Sequence, residues 1–397
     1  MRRTYEVIVI GCGGIGSAAA YWLAQRDGAN VLAIEQFQLG HDRGSSQDHS
    51  RIIRLSYHDP HYTTLAKSAY TLWGQLEAES GVQVLFKTGG LDLEMIGATG
   101  PKDLSHCAAT MAAHDIPYDE LSAHEIMDRW PQFQLPDAAR GLYQADSGIV
   151  DARKANAVHV ALARLHGATI REGLPVRAIR PQGGAVEVIT DEGVFTAGHL
   201  VIAAGAWTSN LLGSIGIHWP LTVTQEQITY FATPHLRDFT PDRFPIWIWR
   251  APEEFYGFPI YGEVATKAGQ DVGGDEVTAE TRTFEPNPQT HARLVRFLET
   301  HIPQFLGPEL YTKTCLYTMP PDRHFVIDAA PGYPQITVAV DAGHAFKFAT
   351  LIGRILSQLA LDGRTEYPIT PFRADRPALT DPTFPPVFRN EAVIHQR

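Results

Sequence analysis

The apolar positions follow two periods. Glu6 to Ile10 (EVIVI) is a short β-branched run, which predicts a strand buried in a parallel sheet. The stretch SAAAYWLAQRD from Ser17 is rich in helix formers with apolar residues at helical spacing, and NVLAIE (Asn30 to Glu35) predicts a second strand. Two later segments share one arrangement. LVIAAGAW (Leu200 to Trp207) and ITVAVDAGHAF (Ile336 to Phe346) are apolar strands that end in Ala-Gly, then a small residue or His, then an aromatic. In FPIWIWRAPEEFYGFP, from Phe244 to Pro259, aromatic and aliphatic residues alternate, so Trp247 and Trp249 share one strand face. Prolines cluster in RADRPALTDPTFPPVF, which predicts an extended surface tail.

Between the first strand and the first helix stands Gly11-Cys12-Gly13-Gly14-Ile15-Gly16. A GxGxxG in that position has mechanical meaning. Gly11 permits the tight turn, Gly13 lets the backbone approach a pyrophosphate, and Gly16 lets the helix pack on the strand. The helix N-terminus adds a partial positive charge. Glu35 follows Gly16 by nineteen residues, placed to accept from the ribose hydroxyls of the adenosine half and to repel a 2′-phosphate. Strand, loop, helix, strand and acid in that order predict a dinucleotide site. After Glu35 the chain enters an Arg- and His-bearing loop, HDRGSSQDHSRIIRLSYHD, instead of regular β-α units. Three glycine-terminated strands spread along the chain suit a long cofactor, FAD in preference to NAD.

The chain has 397 residues, 44% hydrophobic and 19% charged, with a net charge of −11 and a pI near 5.8. That is ample for a large core or two domains. Lysines and arginines are scattered, which argues against a nucleic-acid partner, and no apolar run has transmembrane length. The apolar run near the N-terminus is too short for a signal peptide and leads into the glycine loop. Cys12, Cys107 and Cys315 are far apart and odd in number, and CxxC and HExxH spacings are absent. The expectation is a cytoplasmic protein with neither a disulfide framework nor a metal. On its neighbourhood alone, Cys315 reads as a small buried hydrophobe.

The chain resembles the monomeric sarcosine oxidase and N-methyltryptophan oxidase family of flavoprotein amine oxidases. The resemblance runs from VIVIGCGGIG to TPFRADRPAL and rests on SRIIRLSY (50–57), LWGQLE (72–77), FYGFP (255–259), TCLYT (314–318), RHFVID (323–328) and GHAFKF (343–348). It implies an α/β fold: a Rossmann-like FAD domain of glutathione-reductase type and a second, mainly antiparallel-sheet domain over the flavin. The expected segments are 1–85, 146–220 and 321–385 for the FAD domain, 86–145 and 221–320 for the substrate domain, and 386–397 for a tail. The implied reaction is oxidation of a secondary amino acid, with hydride transfer to FAD and reoxidation by O₂ to hydrogen peroxide, in a protein expected to be monomeric.

Residue by residue, the resemblance implies that Cys315, in Cys315-Leu316-Tyr317-Thr318, carries FAD covalently; Lys313 and Arg323 are nearby cations that could lower its thiol pKa. Arg54 and Lys347 are implied as the clamp for a substrate carboxylate. Arg51 is implied against the flavin ring, with Ser50 beside it, and Lys267 as the cation that activates O₂. Arg51 and Arg54, three apart on an extended segment, point to opposite sides. Tyr256, Tyr317 and His344 are implied as cavity walls. Gly11, Gly13, Gly14, Ile15, Gly16, Glu35, Ser45, Val176, Gly205, Trp207, Gly343, His344 and Lys347 are the remaining expected FAD contacts. Trp247 falls at a cavity-lining position, and ordinary sheet packing is the equal alternative. Lys267 alone would read as a solvated hairpin lysine.

One position breaks the pattern. Four residues after Lys267, where the family carries histidine, stands Asp271. An anion there favours a protonated amine or, with a raised pKa, acts as an acid. A relative acting on a cyclic imino acid, the piperideine carboxylate oxidase of nikkomycin biosynthesis, resembles this chain in having aspartate there, but has tryptophan at the place of His344. The substrate expected is therefore a secondary or cyclic amino acid larger than sarcosine, pipecolate-like compounds included. Two competing readings are a flavin dehydrogenase with another acceptor, which Lys267 opposes, and a catalytically silent flavin binder, which Arg54 and Lys347 oppose.

Overall fold

The computed structural model describes residues 2–26, 30–97, 103–250 and 253–388. The predicted glycine-loop unit forms as strand Thr4–Ile10, helix Gly14–Gln25 and strand Val31–Ile34. Thr4–Ile10 lies between Val31–Ile34 and Gly193–Ile202, parallel to both. Its central residues Val7, Ile8 and Val9 are fully buried, as an uninterrupted apolar run requires. The eight-stranded sheet is completed by Thr169–Arg171, the antiparallel strands Val176–Gln182 and Ala185–Thr190, and the pair Val326–Ala330 and Tyr333–Val340.

Helix Gly14–Gln25 is apolar nearly all round because helices Ala152–Leu165 and Ala349–Asp362 both pack on it. The second contact is close: a Cβ on Gly353 would lie 2.5 Å from the backbone of Ala18. Helix Pro60–Ser80 starts on the Asp59 cap with proline in its first turn and ends on Gly81 in the left-handed conformation.

The nine-stranded sheet is mainly antiparallel. Its order is Asp275–Val277, Thr222–Phe231, Thr266–Asp271, Glu254–Phe258, Ile246–Trp249, Gly90–Met95, Ala139–Gln144 and Asp119–Ser122, with Glu309–Met319 paired along Thr222–Phe231. The pair Ile246–Trp249 and Gly90–Met95 is parallel. A small antiparallel sheet of Ser50–Ile53, Gly148–Asp151 and Leu85–Lys87 is the third. The proline-rich C-terminal segment carries short helical turns at Thr370–Phe372 and Pro377–Thr380, and Val387 donates its amide to the Pro321 carbonyl at 2.9 Å. The expected tail of 386–397 lies mostly outside the described residues.

The strand period decides the place of Trp247. Trp247 and Trp249 do share a face, but it is the one away from the large cavity: both pack on Phe297 of helix Pro288–His301, with ring centroids 5.7 and 5.4 Å away. Trp247 is wholly buried, and Ile248 is the residue of this strand that reaches the cavity. The expectation of a cavity-lining Trp247 is corrected to core packing. Trp247→Ala should cost about 3–5 kcal/mol of folding free energy, read by urea denaturation; a loss below about 1 kcal/mol would contradict the core placement.

Candidate functional site

A single cavity of about 1200 Å³ runs from the glycine loop to the face of the nine-stranded sheet. Gly11, Gly13, Gly14, Ile15, Glu35, Ser45, Ser50, Arg51, Val176, Gly205, Trp207, Cys315, Gly343, His344 and Lys347 all line it, as do Arg54, Tyr256, Lys267, Asp271 and Tyr317. Of the expected site residues only Gly16 and Trp247 are not in its wall. Gly16 is the packing glycine: a Cβ there would lie 1.9 Å from the Gly11 carbonyl oxygen. Gly11 has φ +95° and closes the turn against Ala203.

At the glycine-loop end, the Gly14 amide donates to Ser46 Oγ at 2.8 Å. The N-cap residue Gly13 makes no side-chain cap of its own and the first turn carries no acid, so the positive end of the helix dipole is left without a negative side chain at the cavity. Glu35 accepts from the amides of Cys12 and Phe37 at 2.9 and 3.0 Å. Burial pushes its carboxyl up, but hydrogen bonds from His41 and these two amides outweigh that and hold it low. A Gly-rich turn at a helix N-terminus, an ionised acid beyond it, and a long cleft continuing past Ala203–Trp207 fit the two halves of a dinucleotide such as FAD.

The middle of the cavity is built by strand alternation. Lys313, Cys315 and Tyr317 are two apart on one strand and all face inward; Lys267 and Asp271 do so on another, and Tyr256 and Phe258 on a third. Lys267 is 3% exposed. Its ammonium lies 2.6 Å from Asp48 Oδ2 and donates to Ser50 O and Oγ, both at 3.0 Å. Tyr230 donates to the other Asp48 oxygen at 2.7 Å. Burial drives Lys267 down to about 8; Asp48 opposes this and Arg51 adds to it. Burial pushes the Asp48 carboxyl up, yet Lys267 and Arg51 prevail and hold it well below the usual range. Lys267 is thus a buried, fixed cation, not a solvated hairpin lysine.

The cations around Cys315 differ from those nearest in sequence. Burial lifts its thiol to about 11 and Glu226 adds to the rise, while Arg51, Lys267 and Arg282 act against it. Glu226 is its cross-strand partner. Arg282 donates to Thr314 Oγ1 at 2.7 Å, whereas the Lys313 ammonium sits over the Tyr311 ring, 4.9 Å from its centroid. Arg51 donates to the carbonyls of Ser45, Gln47 and Ser50 at 2.6–2.9 Å, and Ser45 donates to the Leu316 carbonyl. The loop 45–51 is thereby tied to the Cys315 strand.

At the far end, Arg54 follows its strand and turns toward Ser56 and Asp92, the latter 3.5 Å away. Asp92 is held chiefly by Arg250 at 2.6 Å. Lys347 is pushed down to about 7 by burial and by Arg54, with Asp271 opposing. His344 lies at 3.1 Å from the Arg323 carbonyl; a carbonyl only accepts, so Nε2 carries the proton. Burial, Lys347 and Arg323 hold this imidazole neutral. Burial also raises the phenols of Tyr256 and Tyr317, which keep their protons. Asp271 is not a lone anion: Arg323 grips both its oxygens at 2.7 and 2.8 Å.

Asp48 and Arg323 were not assigned these roles from sequence, although both lie in quoted stretches. No spacing rule links Asp48 to Lys267 or Arg323 to Asp271, since each pair forms only when separate sheets or strands meet. Among the described residues, no group of three or more His, Cys, Asp or Glu could hold a metal ion, and no helix is long and apolar enough to cross a membrane.

With a dinucleotide cradle at one end of the cleft and a cation-rich chamber at the other, the class is that of a flavin oxidoreductase. The chain belongs to the FAD-dependent oxidoreductase (DAO) family, whose model matches residues 6–359. Within it, the chain is 36% identical over 384 residues to a monomeric sarcosine oxidase of Streptomyces avermitilis, covering 93% of this chain and 97% of that one. It is 31% identical over 381 residues to N-methyl-L-tryptophan oxidase of Salmonella typhimurium, covering 94% and 99%. The open form of NikD, an unusual amino acid oxidase essential for nikkomycin biosynthesis, superposes with a TM-score of 0.84 at 30% identity, covering 94% and 97%. FAD is the family's cofactor, and the expected α/β FAD-binding fold with its antiparallel partner sheet is the one observed.

Asp48→Ala strands a buried ammonium and should cost about 3–5 kcal/mol of stability. The loss is largest below about pH 8, where the parent's Lys267 is charged, and shrinks above it. Denaturation at pH 7 and pH 9 reads both; an equal loss at the two values would mean that the pair is not its source.

Proposed function

We propose that this protein is an oxidase of secondary amino acids, N-methyl or cyclic, with FAD joined to Cys315 and O₂ as electron acceptor. The observation that carries the reading is the single cavity that unites the glycine-loop cradle with Arg54, Lys347, Tyr256, Tyr317 and His344. When bound, FAD would supply hydride acceptance from the carbon beside nitrogen and electron transfer to O₂, with an imine and hydrogen peroxide as the products. The sheet with Thr4–Ile10 and segments 1–85, 146–220 and 321–385 hold the cofactor; segments 86–145 and 221–320 roof it with the substrate chamber.

Arg54 and Lys347 bind the substrate carboxylate. A carboxylate arriving between them restores the Lys347 cation that burial disfavours, and it gives the Arg54 Nε, buried without a partner, a group to meet. Tyr256, Tyr317 and neutral His344 wall the reacting carbon and exclude water. Arg51 would offset negative charge on a reduced flavin, and Lys267 would supply the buried positive charge that favours electron transfer to O₂. A second reading within the same chemistry, a cyclic imino acid of the piperideine carboxylate kind, is supported by Asp271. The three unpaired cysteines accord with a reducing cytoplasm, and the reading includes a monomer.

Cys315 would be the nucleophile for attachment: its sulfur would replace a hydrogen of the flavin 8-methyl group, which leaves as a proton, the two electrons would go to the flavin ring and on to O₂, and Arg51, Lys267 and Arg282 favour the thiolate. Acid-precipitated parent protein should therefore stay yellow, and Cys315→Ser should release all of its flavin; a colourless parent pellet would sink the covalent assignment. A peroxide-coupled screen of N-methyl and cyclic amino acids tests the reaction itself. Lys267→Met should slow flavin reoxidation by at least about a hundredfold while leaving anaerobic reduction by substrate within a few fold. In the parent, reoxidation should fall as pH rises through about 8, where the Lys267 cation is lost. Unimpaired reoxidation in the variant would exclude Lys267 as the oxygen-activating group and favour another acceptor.

A further inference from the structure

The least explained part of the chamber is the ion pair between Asp271 and Arg323. Both side chains line the cavity, 21% and 12% exposed. The pair is built at a cost in backbone strain. Val272, next to Asp271, has φ +54°, and Arg323 has φ +58°; a β-branched residue in that region is a genuine outlier. Strain of this kind persists only where the surroundings over-determine it, and here they do. Glu226 accepts the Gly273 amide at 3.0 Å, and Thr290 Oγ1 donates to the Gly273 carbonyl at 3.0 Å. The Arg323 amide donates to Pro320 O at 2.9 Å, and its carbonyl accepts from His344.

Charged and neutral groups from several elements surround Asp271. Arg323 and Lys347 are its cationic neighbours, and Tyr256, Tyr317 and His344 are neutral. Glu226, behind it, is pushed up toward the neutral acid by burial. Asp271 is thus the anion that four walls of the chamber share: Tyr256, Tyr317, His344 and Lys347. Lys347 is in turn the charged neighbour of both Arg54 and Asp271. A cationic clamp with a fixed carboxylate beside it is the charge pattern of a zwitterion read in reverse.

We infer that Asp271, oriented by Arg323, is the specificity-determining acceptor for a cationic nitrogen, so that the chamber selects amino acids whose secondary or cyclic amine arrives protonated. Arg323 is a positioning residue: bonded to both oxygens, it aims the carboxylate and tempers its charge. The inference rests on the amino acid reading above and narrows it from anions to zwitterions.

The test uses two ligands of one shape that the flavin cannot oxidise at nitrogen. Glycine betaine and 3,3-dimethylbutanoate share a carboxylate and differ in having a quaternary nitrogen or a quaternary carbon. Their affinities for the holoenzyme are read from the perturbed flavin absorbance, with acetate as a control for the clamp. The parent should prefer betaine by about threefold or more. Asp271→Asn should bring the ratio to about one. Arg323→Gln should raise it, because the carboxylate loses its tempering cation, whereas a merely structural role for Arg323 would weaken both ligands alike. Equal binding by the parent, a preference untouched in Asp271→Asn, or binding of acetate with neither larger ligand would overturn the inference and leave the amino acid reading standing. No spectral response to any of the three would overturn both.

Discussion

Lys267 is a cation withdrawn from water at the seam between two sheets, and the site depends on how that charge is met. It springs from the nine-stranded sheet, while Asp48 and Ser50, which receive it, belong to the loop and the small sheet below. A buried ammonium without a partner is far costlier than the same group neutral or solvated. The loop 45–51 must therefore come to it. Arg51, bonded to three carbonyls of that loop, and Tyr230, reaching Asp48 from the strand beside Lys267, complete the joint. The same segment carries Ser45 to the strand of Cys315. One electrostatic requirement thus brings Cys315, Lys267 and Arg51 into a single register.

Local order was legible and non-local pairing was not. The GxGxxG unit could be read from adjacent residues because strand, turn and helix follow one another directly along the chain, although Gly11 packs on the distant Ala203. Glu35 could be read for the same reason. Nearly every residue that the family motifs singled out lies in the cavity wall, since those motifs carry information about chain segments brought together in the fold. What could not be read was which charge meets which. Lys313 stands two residues from Cys315 and is turned to the Tyr311 ring, while Arg282 acts on that thiol from a distant loop. Trp247 shows the limit of periodicity. Alternation correctly joins it to Trp249, but only the helix that supplies Phe297 decides which face is core.

Backbone strain is concentrated where the chemistry is proposed. Asp48, Val272, Arg323 and Ala342 all combine positive φ with a place at or beside a cavity residue. Each is a residue that a loosely specified chain would relax. Their partners (Lys267, Glu226, Asp271 and the His344 turn) are polar groups with defined bond directions. Directional bonds hold the unfavourable backbone, and the backbone in turn fixes where those bonds point. The chamber is rigid for this reason, with its charges set before a ligand arrives.

The strand alternation that separates Trp247 from Ile248 has a further meaning for how such a protein can change. Odd and even positions of the same strands belong to two populations, one tied to the hydrophobic interior around Phe297 and one open to the chamber. A new side chain at Ile248 or Tyr256 faces the chamber and not the aromatic stack behind it. The architecture therefore lets the chamber-facing positions change while the scaffold stays intact.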